Sequence, residues 1–526
     1  MSAMETKPRN GSTELESFLP HDNSSVNVIT KYKISNGNDL ELANTEFDPF
    51  KSRHLEHPVS DCDTLTHLLK ASLGTGILSM PAAFYASGLV LGIFSTILVS
   101  VICTHCSYIL VVCAHELYKK AGKTQMGFAD IAEEACLRGP AWGKKFAGSA
   151  RQLVLVGIFV TYFMTCSCYA VIVAKNFNYV ANHYLGYTVE IRITIALLLI
   201  PLILLAYVPN LKYLAPVSML ANGFMAVGLG ITMYYLVADI PPISERKLVA
   251  DIATFPVFFS ITIFAIEAIG VVMPLENNMS RPQHFTGLCG VLNQGMSGVT
   301  LVYIVVGFFG YLKYGDGIKG SVTLNLPIEQ YAAQAVNILI GGAVFCTFGL
   351  QFYVCLDIAW NGIKKRYADN ETIAQYTLRT VMVVVCVSIG IAVPTIIPFV
   401  SLIGAFCFSL LGLLVPIGIE MLTFWEKGFG RYNWKIVKNI VVAVTAMLAL
   451  IFGSKSAIEE IVMMYTSPSN STLLSNSTGL LADGVGLLAN TTGLVSNSTG
   501  LLANSTDLFD GAALFNVTAL ANATSS

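Results

Sequence analysis

The chain is polar through roughly its first 60 residues and then turns apolar in long runs. From Thr64 onward, stretches long enough to cross about 30 Å of hydrocarbon recur. They lie near 65–87, 89–115, 149–175, 190–208, 213–238, 253–275, 287–311, 332–360, 377–396, 398–424 and 436–455. This pattern predicts an all-α membrane protein with eleven transmembrane helices. The turns at Ser87-Gly88 and at Pro394 to Pro398 are tight, and the even spacing favours one bundle. The expected layout is a disordered cytosolic tail over 1–63, a membrane domain over 64–456 and a low-complexity tail over 457–526.

Composition sharpens this. Of 526 residues, 54% are hydrophobic and only 12% are charged, about half the roughly 25% charged of a soluble domain. Mean hydropathy is +0.63. That much apolar surface must face membrane lipid. A cytosolic enzyme is excluded. A net charge of −2, with no polybasic arm, excludes nucleic acid as a partner. The cysteines lie mostly inside apolar runs, so no metal site and no disulfide framework is expected.

Basic residues set the orientation. With the N-terminus in the cytosol, 17 Lys and Arg fall in the inner loops and 7 on the outer side. Eleven crossings then place the C-terminus outside. Residues 466–526 carry no Lys or Arg and hold seven Asn-x-Ser/Thr sequons, at Asn470, Asn476, Asn490, Asn497, Asn504, Asn516 and Asn522. N-glycans belong to lumenal segments, which agrees, although drift of a short repeat would also make sequons. Asn10, Asn23, Asn278 and Asn370 match the pattern on the cytosolic side and should stay unmodified. No apolar h-region marks a signal peptide near the N-terminus. The triplet Asp48-Pro49-Phe50 is of the kind that docks on endocytic adaptors, a weak pointer to a cytosolic partner.

Two spans carry helix breakers at their centres. The first reads His67-Leu-Leu-Lys-Ala-Ser-Leu-Gly74-Thr75-Gly76-Ile77-Leu-Ser-Met-Pro81. Two glycines weaken a helix by about 1 kcal/mol each. Irregular backbone survives at membrane depth only where protein or a cavity covers it. The free N–H and C=O groups of half-helix ends could hold the carboxylate and the amine of a zwitterion. Close helix packing through Gly-x-Gly is the other reading. The sixth span runs Phe264-Ala265-Ile266-Glu267-Ala268-Ile-Gly270 and on to Pro274. An acid at mid-membrane costs several kcal/mol unless paired, protonated or wetted. Spans one and six thus form an interrupted pair, in equivalent positions if spans 1–5 and 6–10 are inverted repeats.

The spans hold other polar groups as well. His67, seven residues before Gly74, could couple to protons or simply bond within the bundle. Lys70 can snorkel to the headgroups. Asp357 and Glu420 lie towards inner helix ends, while His105, His115 and Glu116 read as structural. Tyr162 and Asn222 are candidates to line a path, or to pack.

The run from His67 to Pro81 resembles the first helix of the proton-coupled amino acid transporters, in the amino acid/auxin permease group of the amino acid–polyamine–cation superfamily. Phe264 to Asn277 resembles the sixth-helix signature of the same family. The resemblance covers about 60–456 and neither tail. It implies a LeuT-type fold with 5+5 inverted repeats plus one extra helix, alternating access, and symport of small neutral amino acids with a proton. It places substrate binding on Gly74, Thr75, Gly76, Ile77, Phe264, Ala265, Ile266 and Glu267. Proton coupling falls on His67, with Glu267 as a second candidate. Lys70-Ala71-Ser72 stands where the family has Lys-Gly-Asn, and Glu267-Ala268 where it has Glu-Gly.

The expected function is therefore proton-coupled amino acid symport at the plasma or lysosomal membrane, with the proton as coupling ion and no cofactor. The alternative is an amino-acid-sensing transceptor that signals through its N-terminal tail with little net flux.

Overall fold

The computed structural model describes residues 48–466, apart from 54, 56, 57, 209, 210, 368 and 369. The chain divides into two units, Met1–Ile461 and Val462–Ser526, and only 462–466 of the second are described. The seven expected glycosylation sites, together with Asn10, Asn23 and most of the N-terminal tail, lie outside the described residues.

The helices follow the apolar runs, and their ends follow local chemistry. α1 (Asp61–Ser72) opens on Ser60, whose hydroxyl accepts from the Asp63 amide, with Asp61 and Asp63 in the first turn; acids there suit the positive end of the helix dipole. A 3-10 segment at Thr75–Ser79 leads into α2 (Met80–Ser87), which carries Pro81 in its first turn. Gly88 then turns the chain at φ 87°, and a Cβ there would sit 2.8 Å from the backbone of Leu248 and Ala250. Only glycine fits both the angle and the space. There follow α3 (Leu89–Ala121), α4 (Phe128–Leu137), α5 (Ala147–Leu185), α6 (Ile191–Leu197), α7 (Leu199–Ala206) and α8 (Leu211–Val237). The second half holds α9 (Phe255–Ile266), α10 (Ile269–Asn278), α11 (Val291–Tyr314), α12 (Tyr331–Ile363) and α13 (Glu371–Ala392). Last come α14 (Ile396–Leu402), a π-helical stretch at Ile403–Leu414, α15 (Val415–Thr423), α16 (Trp434–Leu448) and α17 (Ser454–Thr466).

Among the described residues, nine helical stretches are long and apolar enough to cross a membrane. Two of the eleven expected runs are not among them, each for a local reason. The first is split between α1 and α2. The fourth is the shorter Ile191–Ala206, bent at Leu198, three residues before Pro201, which has no amide hydrogen to continue the ladder.

α12 packs along α5 and α8, and α2 is gripped between α9 and α11. The π-helical stretch lies against α9 and α5. Residues 75–84, the far half of the first span, are all buried, whereas α1 keeps exposed positions at Thr66, His67 and Lys70. The two halves of the span thus sit in different surroundings. The end of the bundle where α1 begins is called the near end below.

The Asp48-Pro49-Phe50 triplet is not free for an adaptor. Pro49 is buried, and the Phe50 ring packs edge-on against His115 at 4.9 Å. The aromatic side chain gains more by covering that ring than by standing in water.

Candidate substrate site

Both expected helix breaks are present, and they face each other. α1 ends at Leu73 (ψ 58°), and Gly74 is extended (φ −88°, ψ −159°) before the chain winds again at Thr75. α9 ends at Glu267, extended at ψ 124°, and α10 starts at Ile269. Gly76 brings the two together: a Cβ on it would lie 2.5 Å from Ala265 Cα. Gly74 has another role. Nothing lies closer than 4.0 Å to a Cβ built there, so its missing side chain leaves space beside the break.

Glu267 caps the second half of its own broken helix. Its Oε1 accepts from the amides of Ala268 (3.0 Å) and Ile269 (2.9 Å). These would otherwise be orphaned first-turn donors, and a carboxyl at a helix start is favoured by the dipole. Its Oε2 is buried with no hydrogen-bond partner. It is shut in beside Gly412, where a Cβ would come within 2.5 Å of it, and near the Cys103 thiol of α3. A carboxylate oxygen shut in with only a thiol near it is costly to bury.

The carbonyl ends are also claimed. Tyr303 of α11 directs its hydroxyl to Ser72 O, at the end of α1, and to Ala265 O of α9 at 2.9 Å. One side chain therefore ties the ends of both near-break helices. The zwitterion reading left these carbonyls free; a carbonyl has a second lone pair, so a substrate amine would share them with Tyr303.

Around the breaks lies a cavity of about 80 Å³. Gly74, Thr75, Gly76, Phe264, Ala265 and Glu267 line it, joined by Tyr162, Thr165 and Tyr169 of α5, Gln351 of α12 and Phe408 of the π-helical stretch. The Phe264 and Phe408 rings meet edge-on at 6.2 Å. Tyr169 meets Thr75 and Gln351. Tyr162 sits against Gly270, whose added Cβ would lie 2.1 Å from the phenol oxygen. Of the expected substrate residues, Ile77 and Ile266 are buried but do not line this cavity. Their side chains pack into the bundle because the 3-10 turn and the last turn of α9 point them away from the break.

A second cavity of about 330 Å³ shares Gly74, Thr75, Tyr162, Tyr169 and Gln351 with the first and extends towards the near end. His67 and Lys70 of α1 line it, with Asn222 and Met225 of α8 and Pro274 of α10. The path thus opens towards the near end, past His67. His67 belongs to this vestibule and does not line the inner cavity. Tyr162 and Asn222 do line the path.

Tyr169, Tyr303, Gln351 and Phe408 were not singled out from sequence. A tyrosine or glutamine in an apolar run is a visible signal, but which way it points is decided by packing.

A family model described as "Transmembrane amino acid transporter protein" matches residues 57–459. The chain is 56% identical over 457 residues to the "Proton-coupled amino acid transporter-like protein pathetic" of Drosophila melanogaster, covering 87% of this chain and 96% of that one. It is 23% identical over 417 residues to the "Probable amino acid transporter skat-1" of Caenorhabditis elegans, covering 76% and 90%. Among solved structures, the nucleobase-cation symporter Mhp1 with bromovinylhydantoin bound aligns with a TM-score of 0.44 at 13% identity, covering 80% of this chain and 94% of that one. MhsT in complex with L-phenylalanine aligns at 0.41 and 14%, covering 78% and 99%.

Proposed function

The chain belongs to the transmembrane amino acid transporter family, and from that premise we propose that it is a proton-coupled symporter of small neutral amino acids working by alternating access. The observation that carries this is the pair of facing helix breaks around a small cavity that continues into a vestibule towards one end of the bundle.

Each part of a zwitterion has a counterpart there. The carboxylate meets the first amides of the stretch that begins at Thr75, which have no partner within their own turn. The amine meets the carbonyl ends of α1 and α9 beside Tyr303. The side chain faces Phe264 and Phe408. About 80 Å³ is roughly half of an engineered cavity that admits benzene, which suits glycine or alanine and not a bulky residue. Among the described residues, no Lys, Arg or His lines this inner cavity, and the one acid that does is occupied as a helix cap, which suits a neutral side chain.

For the proton, Glu267 is the group at the site, and His67 stands on the route to it. In this reading the near end is cytosolic, and the vestibule is the inward-facing half of the cycle. The bundle is read as eleven spans, with spans 1–5 and 6–10 as inverted repeats and the last one added. The N-terminal tail is then cytosolic, and the sequon-rich tail faces the exterior or a lumen.

The test is uptake into vesicles containing the purified protein, with an imposed proton gradient and a panel of amino acids. Glycine and alanine should accumulate with inward current that grows as the outer pH falls. Uptake indifferent to the gradient would remove the coupling, and equal uptake of lysine or glutamate would remove the substrate class.

A further inference from the structure

The segment ahead of α1 crosses the near end and is pinned there by one side chain. The Arg53 side chain is 2% exposed. Its Nε donates to Thr124 O at 2.9 Å, its Nη1 to Glu276 O at 3.1 Å and its Nη2 to Glu276 Oε1 at 3.2 Å. Its guanidinium lies 5.9 Å from the centre of the Phe50 ring and 5.5 Å from that of Tyr118. The Glu276 side chain is fully buried. It also takes the Tyr118 hydroxyl at 2.9 Å, and His115 Nε2 lies 3.0 Å from it. A few residues on, Val59 pairs with Met279. The Val59 amide donates to Asn278 O, and the Ser280 amide to Val59 O, both at 2.9 Å.

Two facts give this cluster a bearing on transport. Glu276 is on α10, the helix whose Val271, Pro274 and Leu275 line the vestibule. Val59 runs directly through Ser60 into α1, whose His67 and Lys70 also line the vestibule and which packs against α10. The contacts of Arg53 and Val59 therefore tie together two helices that line the vestibule. A buried ion pair is a poor source of net stability, but it has two distinct states: docked and dry, or released and solvated. That is the property of a latch.

We propose that Arg53 and Glu276 form a latch, positioning residues that limit how far α1 parts from α10 and so set the width of the vestibule. Neither residue touches substrate. The inference rests on the alternating-access reading, in which these helices must part and close in each cycle.

The experiment uses the full chain with the two exposed thiols removed (Cys62→Ser, Cys289→Ser) and a reporter placed in the vestibule wall (Met225→Cys). A membrane-impermeant maleimide is applied to inside-out vesicles without amino acid. Adding Arg53→Ala should speed labelling of the reporter by about tenfold, within the usual range of site-to-site coupling. Because Arg53→Ala leaves a buried acid without its guanidinium and could misfold, the neutral double variant Arg53→Ala with Glu276→Gln is run beside it and should label equally fast. In uptake, both should lower the maximal rate by a larger factor than they change KM. Labelling of the properly inserted double variant at the parent rate would overturn the latch. Labelling needs no substrate, so failure of the parent to take up amino acids would overturn the transport reading alone.

Discussion

Gly76 lies so close to Ala265 that a Cβ on it would come within 2.5 Å of the Ala265 Cα and 2.8 Å of its Cβ. The contact is backbone against backbone, so no side chain can swing aside. Gly76→Ala should force the two broken spans apart, at about 1–3 kcal/mol of overpacking. Thermal unfolding in detergent should show the loss of stability, and uptake should fall below a tenth of the parent (about 1.4 kcal/mol per tenfold). Parent-like stability and uptake would mean that the spans are not held together here.

Gly74 provides the contrast. A methyl group there meets nothing within 4.0 Å other than Ala71 O, but it stands beside the inner cavity. Gly74→Ala should therefore fold normally, with an unchanged melting temperature. Its KM for alanine should rise more than its KM for glycine, because the added methyl takes space from the substrate side chain. Equal KM changes for the two substrates would show that Gly74 does not border the site.

Tyr303→Phe removes the hydroxyl shared by Ser72 O and Ala265 O. Leaving buried acceptors without their donor costs about 1–3 kcal/mol. The variant should melt earlier and transport more slowly, because the ends of α1 and α9 lose their common partner. A melting temperature equal to the parent's would show that water or another group fills the role.

Glu267→Gln keeps an oxygen to cap α10 at Ala268 and Ile269 but cannot take up and release a proton. The variant should reach the membrane and remain folded, and stimulation of uptake by an acid-outside gradient should disappear. Gradient-stimulated uptake at the parent level would move the coupling role elsewhere, with His67 the first position to examine.

Glu134, on the short α4 between the long helices α3 and α5, provides a pH test of stability outside the spans. Burial pushes its carboxyl up, but Lys123 at 3.0 Å and Arg138 at 2.9 Å outweigh that and hold it below the usual range. A depressed carboxyl contributes stability above its unfolded value of about 4.3 and loses it as pH falls through the folded value. Both bases are partly exposed, so the contribution is no more than about 1 kcal/mol. As pH falls from about 5 to about 3, through the unfolded and folded values, the parent should lose slightly more melting temperature than Glu134→Gln. Parallel pH profiles would show that the pairs contribute nothing.

Much of this architecture was readable from residue order. Helix breakers are local, so Gly74 and Gly76 in the first span, and Gly270 and Pro274 after Glu267 in the sixth, marked the interrupted spans without coordinates. Gly412 and Tyr303 could not be read in the same way. The first matters only because it lies under Glu267, and the second only because α11 turns its hydroxyl towards two distant carbonyls. Arg53 was concealed for the same reason. It belongs to a stretch as polar as any loose tail, and its partner Glu276 lies 223 positions away. The expected eleven runs and the nine stretches long enough to cross a membrane among the described residues differ because hydropathy reads apolar content, whereas Gly74 and Pro201 act on the backbone ladder.

The wide-turned stretch at Ile403–Leu414 fixes its own length. Gly404, whose added Cβ would lie 1.9 Å from Ser260 O, and Gly412, under Glu267, both have to meet the same neighbouring rod. In a π-helical turn the bonds run from i to i+5, so removing one residue between the two glycines would rotate Gly412 out of register and bring a bulkier neighbour against the acid. Natural relatives should therefore vary in side chain along this segment far more freely than in residue number, and a single-codon deletion there should be as damaging as a substitution in the pocket itself.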